Sequence, residues 1–142
     1  MAVEEVATQL MAGMKEVRRN AVKHADANRG AAEYFLDYVQ RNPDPFIVGV
    51  REANTALTPM RAVIQRVLDQ ISIESVEQIT SMNLAPGLGR KALRRATSAI
   101  AHYMFYRALD LIEHPERRDA IADDLVTFMH MQFLGAAATA ER

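Results

Sequence analysis

Cysteine is missing from the chain, and so is tryptophan. Without thiols there is no disulfide framework and no thiolate chemistry, a composition that fits a reducing compartment. Proline (5) and glycine (6) are scarce among 142 residues, which leaves long stretches free to run as helix. An excess of either charge is also lacking. The 17 Lys and Arg against 18 Asp and Glu give a formal net charge of -1, so nothing draws the whole molecule to nucleic acid or an anionic membrane. No unbroken apolar run approaches the roughly 20 residues that span a bilayer. Met1-Ala2-Val3-Glu4-Glu5 has neither the basic start nor the apolar core of a signal peptide. The expectation is a cytoplasmic protein whose residues 1–142 form a single domain without metal staples.

What is present is helical periodicity, with no convincing strand. Val3, Val6, Leu10, Met14 and Val17 recur at three- and four-residue steps and predict one long amphipathic helix from about Ala2 to Asp26. Asn28-Arg29-Gly30 is expected to reset the chain before a second helix, Ala31 to Gln40. Asn42-Pro43-Asp44-Pro45 stops that helix and opens a short third one, Phe46 to Ala53. Thr58-Pro59 reads as a cap with proline in the first turn of a fourth helix running to about Ile79. Ser81 to Gly89, with Pro86, Gly87 and Gly89, is the sizeable loop. Two long patterns follow, about Leu88 to Ile112 and about Pro115 to Ala138, joined by Glu113-His114-Pro115. The architecture is all-α, with about six helices.

The last of these helices is apolar on two sides. Ile121, Leu125, Phe128 and Gln132 share one side, while Val126, Met129, Phe133 and Ala137 fill much of another. A helix packing only on its own domain needs one apolar stripe, so the second side predicts a partner, read here as a second copy of the chain. The residues expected at that seam are Ala96, Tyr103, Leu125, Phe128, Met129 and Gln132.

Catalytic and metal-binding patterns are absent. None of His24, His102, His114 and His130 stands in HExxH or ExxH spacing, and no nucleophile elbow, phosphate loop or dinucleotide fingerprint occurs. The chain is not expected to be an enzyme, and neither a metal nor a cofactor is expected. Polar residues set among apolar ones carry more information. His102 and Tyr106, four apart on the fifth helix, are candidates to face a ligand cavity with Tyr34, Tyr38 and Arg51; the commoner account of such residues is local hydrogen bonding or contact at the dimer seam. Met60, Met82, Met104, Met129 and Met131 suit either an adaptable apolar pocket or ordinary gap-filling. Arg90, Lys91, Arg94 and Arg95 crowd the start of the fifth helix, as an anion-docking point at the pocket mouth or as a solvated helix end.

The order of elements, with three stretches, resembles the C-terminal ligand-binding and dimerisation domain of the TetR family of transcriptional repressors, and within it the fatty acid biosynthesis repressors. The stretches are Tyr38-Val39-Gln40-Arg41-Asn42-Pro43-Asp44-Pro45-Phe46, Arg51-Glu52 followed by Thr58-Pro59-Met60-Arg61, and Glu116-Arg117-Arg118 leading through Leu125-Val126 to Gly135. The resemblance implies a linking helix, a helical core around a pocket, and two final helices that pair with those of a second subunit as a four-helix bundle. It also implies a hydrophobic effector such as a fatty acid or fatty-acyl thioester (acyl-CoA). Members of the family begin with a helix-turn-helix head, and this chain starts about where that head ends. DNA would therefore be reached only through a domain that these residues do not include, because the chain is a fragment, a late start or a headless variant. Two other readings stand beside this one: a headless helical interaction module with a fully packed core and no ligand, and a small lipid-processing enzyme with His102 as base beside Tyr106.

Overall fold

A computed structural model describes residues 3–21, 24–53 and 59–140, and among these the fold is all-helical. Helix α1 is Val3–Asn20, α2 His24–Arg41, α3 Pro43–Ala53, α4 Pro59–Ser81, α5 Arg90–Glu113 and α6 Arg118–Ala140. A single 3-10 turn, Pro115–Arg117, joins the last two. The six expected helices are present, and the long loop lies between α4 and α5 as expected. Thr58, the expected cap of α4, lies outside the described residues.

The start of the chain departs from its periodicity. The single helix expected over Ala2 to Asp26 is two: α1 ends at Asn20, its last turn carrying Arg18 and Arg19 to complement the helix dipole, and α2 is already helical at His24. Asn28-Arg29-Gly30, expected to break the chain, sits inside α2. The segment is alanine-rich, and alanine continues a helix without marking which side is buried, so the phase change is invisible in the pattern. Gly30 has a packing role. A Cβ there would lie 2.7 Å from Val17 Cγ1, and one at Gly13 would lie 1.9 Å from the Tyr34 ring. Residues 13 and 17 therefore oppose 34 and 30, so α1 and α2 form an antiparallel hairpin crossing closely at its two glycines. Gly30 costs α2 about 1 kcal/mol in helix propensity relative to alanine, which the close approach offsets.

The remaining helices pair antiparallel as well. Between α4 and α5, Ser72 Oγ and Thr97 Oγ1 lie 2.7 Å apart, Thr97 Oγ1 also donates to the Ser72 carbonyl, and Arg90 pairs with Glu77. Small buried hydroxyls satisfied by each other let the two backbones come close. Helices α5 and α6 are joined by the Tyr103–Phe128 ring stack, centroids 4.2 Å apart, and by Arg107 to Asp124 at 3.0 Å. At the far end Arg118, the first residue of α6, reaches Glu33 at 2.9 Å and Asp37 at 2.7 Å on α2 and also bonds Gln40, while Arg29 pairs with Asp123. The chain between α4 and α5 turns at Asn83, whose φ of 53° is a left-handed conformation that asparagine tolerates; the Leu84 N–H then donates back to Ile79.

The main core gathers Leu10, Phe35, Leu36, Val39, Leu111, Ile121 and Leu125 from α1, α2, α5 and α6. Side chains as fully buried as Leu36, Leu111 and Leu125 each contribute about 2 kcal/mol of transfer free energy. Helix α4 gives that core only the partly buried Ile71: it lies across α1, α3 and α5, with a smaller cluster of Ile64 and Leu68 against Ala101 and Phe105. Two sets of apolar side chains meeting imperfectly across α1, α4 and α5 is where space is left.

If the α1–α2 crossing depends on the missing Cβ, Gly30→Ala lowers stability by about 1 kcal/mol in the native background but raises it by about 0.5 kcal/mol when Val17 is alanine, because helix propensity is then unopposed. Urea unfolding of the four variants reads this sign change; equal effects in both backgrounds would remove glycine's packing role.

Candidate ligand cavity

The space consists of two adjoining chambers. The first, about 90 Å³, is lined by α1 (Val6, Leu10, Met11, Met14), Phe35, the start of α3 (Pro45, Phe46, Gly49), α4 (Ile64, Val67, Leu68, Ile71) and α5 (Ala101, Met104, Phe105). Every one of these side chains is apolar. The second, about 70 Å³, is lined by Met14, Arg18, Ala27, Asn28, Ala31, Ile71, Ser75, Ile79, Leu84, Thr97, Ile100, Ala101, Met104, Met129 and Phe133. Met14, Ile71, Ala101 and Met104 belong to both linings and form the partition. Two of the four are flexible thioethers, so the partition can yield to a ligand by rotamer changes alone.

Local sequence explains the shape. Ala101 presents a methyl group where a larger side chain would fill the junction, and Gly49 lets the Phe105 ring come close to the α3 backbone, a Cβ there lying 3.1 Å from Cε2. Apolar space lined in this way stays dry, since a water would find no hydrogen-bond partners in the first chamber.

The second chamber is different because Arg18 lines it. Its Nη1 donates to Gln78 Oε1 at 2.7 Å, and Gln78 Nε2 in turn donates to the Met11 carbonyl at 3.1 Å, which fixes the amide's orientation. Among the described residues no carboxylate pairs with Arg18, and burial alone pulls its pKa down to about 10. It remains a cation at neutral pH. Asn28 and Ser75 line the same chamber, each 6% exposed, and neither side chain has a hydrogen-bond partner among the described residues.

The five residues expected to form a pocket do not come together there. Tyr34 donates to the Gln9 carbonyl at 3.3 Å with its ring over Gly13, and Tyr38 donates to Gln9 Oε1 at 2.6 Å and stands edge-on to Phe46. Both tie α2 to α1. Burial, with Tyr34 and Glu5 nearby, raises the Tyr38 pKa. His102 has its Nδ1 2.8 Å from the Ser98 carbonyl and its Nε2 3.4 Å from Gln65 Oε1. Tyr106 is 46% exposed, and Arg51 is also exposed. None of the five lines either chamber. Tyrosine and histidine met their hydrogen-bonding needs locally, one helical turn away or on the facing helix. Of the five methionines considered, Met104 and Met129 are lining residues and Met60, Met82 and Met131 are not; Met11 and Met14 were missed, although their place on the apolar stripe of α1 marked them as inward-facing. Arg18 was hidden because its spacing reads as the charged end of a helix.

The basic cluster lies elsewhere. Arg90, Lys91 and Arg94 line a shallow hollow with Ile73, Val76 and Glu77 on the α4–α5 surface. Arg90 is held by Glu77, and Arg94 donates to the Asp69 carbonyl at 3.3 Å. It is not the mouth of either chamber.

The six seam residues divide. Ala96, Leu125 and Met129 are buried by the chain's own core, at 3%, 0% and 4% exposure, and are closed to a second copy. Tyr103, Phe128 and Gln132 are half-buried along the line where α5 meets α6. The exposed apolar side of α6 runs instead through Met131 (63%) and Leu134 (57%), flanked by Gly135 and Ala138. Leu125 and Met129, expected at the seam, turn inward instead, a choice of side that a helix apolar nearly all round does not reveal.

No family model matches the chain, and no solved structure matches it. Among the described residues no helix is long and apolar enough to cross a membrane, and no group of His, Asp and Glu is placed to hold a metal.

Filling the junction is the direct check on the space. Ala101→Leu raises the unfolding free energy by about 1 kcal/mol and Tm by about 3 °C if the chambers are empty, whereas a close-packed site would lose stability from the added carbons. Thermal unfolding followed by circular dichroism distinguishes the two.

Proposed function

We propose that this chain is the effector-binding and dimerisation domain of a TetR-like transcriptional regulator, acting in the cytoplasm on a hydrophobic small molecule derived from fatty acid metabolism. The observation that carries this reading is the all-apolar chamber enclosed by α1, α3, α4 and α5. A helical module that serves only to bind another protein has no reason to leave such space in its core, since empty volume costs stability. The apolar side of α6 supports the second half of the reading. Met131 and Leu134 are large side chains more than half exposed on the terminal helix pair, where a copy of the same surface would cover them in a two-fold bundle.

In this mechanism α1 is the moving part. It supplies four residues of the first chamber and, in the resembling family, leads to the DNA-binding head. A ligand that fills the chamber better when α1 sits further from α4 shifts the population toward that arrangement. Two heads, one per subunit, then change their spacing against half-sites one helical turn apart. The enzyme reading loses its support at His102, which lines neither chamber.

Two measurements test the proposal. N-phenyl-1-naphthylamine, a dye that fluoresces in apolar sites, binds the native chain and is weakened about tenfold or more by Ala101→Leu, which takes its space. Equal dye binding by both would place it on the surface and remove the cavity from the argument. Sedimentation at micromolar concentration gives a dimer for the native chain and a folded monomer for Met131→Asp/Leu134→Asp; a native monomer would sink the dimerisation role.

A further inference from the structure

The cavity is chemically asymmetric, and its polar end is a built site. Arg18 enters the second chamber with a positive charge that no carboxylate among the described residues neutralises. Around it stand Asn28 and Ser75, both more than nine-tenths buried and both with unspent hydrogen-bonding capacity. Thr97 lines the same chamber but is already engaged by Ser72 and the Arg94 carbonyl. A half-buried cation whose recorded partner is a neutral amide can still take an anion, and the Asn28 amide and Ser75 hydroxyl beside it have no hydrogen-bond partner among the described residues. From the same chamber, past Met14 and Met104, begins a space with no polar group at all.

We propose that the effector is a free carboxylic acid with a linear apolar tail, its carboxylate held by Arg18 with Asn28 and Ser75 and its chain passing the Met14–Met104 partition into the first chamber. This rests on the effector-binding reading and deepens it. The carboxylate takes charge-assisted N–H bonds from the guanidinium and is within the reach of an amide and a hydroxyl donor, a donor set that an ester or thioester carbonyl, carrying no charge, uses poorly. Gln78 holds the guanidinium from the other side through an oxygen whose direction is fixed by the bond from Nε2 to Met11. Size narrows the class further. In another protein a core cavity of about 150 Å³ holds benzene, so chambers of about 90 and 70 Å³ suit a chain of roughly six to eight carbons, the longer end needing the Met14–Met104 partition to yield, rather than a long acyl group.

The test is calorimetric titration of the native chain with octanoate and with methyl octanoate, the same tail without the charge. Native protein is expected to bind octanoate at least tenfold more tightly. Arg18→Met reduces that preference to less than twofold while keeping methyl octanoate affinity and a Tm no lower than native, since an unpaired cation has been removed. Gln78→Glu provides a second route, leaving Arg18 in place but giving it an internal counter-ion; octanoate affinity falls at least tenfold and methyl octanoate is unaffected. Equal binding of the two probes by native protein overturns the carboxylate assignment but leaves the cavity reading intact. A preference that survives Arg18→Met moves the headgroup site elsewhere and also overturns it. Failure of both probes to bind overturns the cavity reading together with the inference.

Discussion

Most of the molecule follows from how closely α1 can lie on α2. At Gly13 and Gly30 the two backbones approach to a distance at which no other residue type fits without displacing Tyr34 or Val17. That approach turns the chain back on itself after Asn20 and aims the apolar side of α1 inward over α4 and α5. It also sets Arg18, one residue past the crossing at Val17, at the edge of the second chamber rather than in solvent. Had α1 and α2 been one straight helix, its rise of about 1.5 Å per residue would have carried Ala27, Asn28, Ala31 and Phe35, the α2 residues that line the chambers, away from α4 and α5. The hairpin is therefore what assembles both chambers.

Against this, the Arg18–Gln78 contact is a stability cost retained in the core. Folding takes part of the guanidinium's water away and returns one neutral hydrogen bond, and the same burial lowers its pKa to about 10. The sign is that of a base disfavoured in its charged form: the folded state gains relative stability as pH rises through about 10 toward the higher pKa of the unfolded chain. Arg118 shows the contrast. It is also partly buried, yet it has two carboxylates within 2.9 Å and joins α2 to α6. A chain that places two carboxylates around one arginine and none around another treats the two positions differently, and sites that sacrifice stability in this way are commonly the sites that bind.

The helices themselves were legible because each apolar stripe recurs at three- and four-residue steps and because Pro43, Pro59 and Pro115 mark helix starts that only proline's fixed φ allows so clearly. The break between α1 and α2 was not, since alanine-rich segments suit either side of a helix and Gly30 looks like a breaker until the facing Val17 is known. The candidate site was largely hidden. Tyr34, Tyr38, His102 and Tyr106 stood out by being polar among apolar neighbours, but a polar group on a helix finds partners one turn away or on the facing element, as His102 does with Ser98 and Gln65. What makes a cavity is missing volume at Ala101 and Gly49, and small residues give no signal of whether a neighbour covers them. At α6 both sides read from the sequence turn toward the chain's own core, with Ile121, Leu125 and Met129 buried and Val126 and Phe133 packed against them, while the exposed apolar side chains, Met131 and Leu134, belong to neither.

Helix α5 connects the two proposed activities. Its inner side gives Ala101, Met104 and Phe105 to the chambers, while Tyr103, between them in sequence, stacks on Phe128 of α6 and accepts a hydrogen bond from Arg107 at 2.7 Å. Arg107 continues to Asp124. A tail that displaces Met104 further than its own rotamers allow must shift the α5 backbone, and with it the neighbouring Tyr103. On the proposed reading, a ligand in the core is thus felt at the α5–α6 line as well as at α1. Coupling of this kind needs no long pathway. It needs a ligand that prefers one packing of α5 over another.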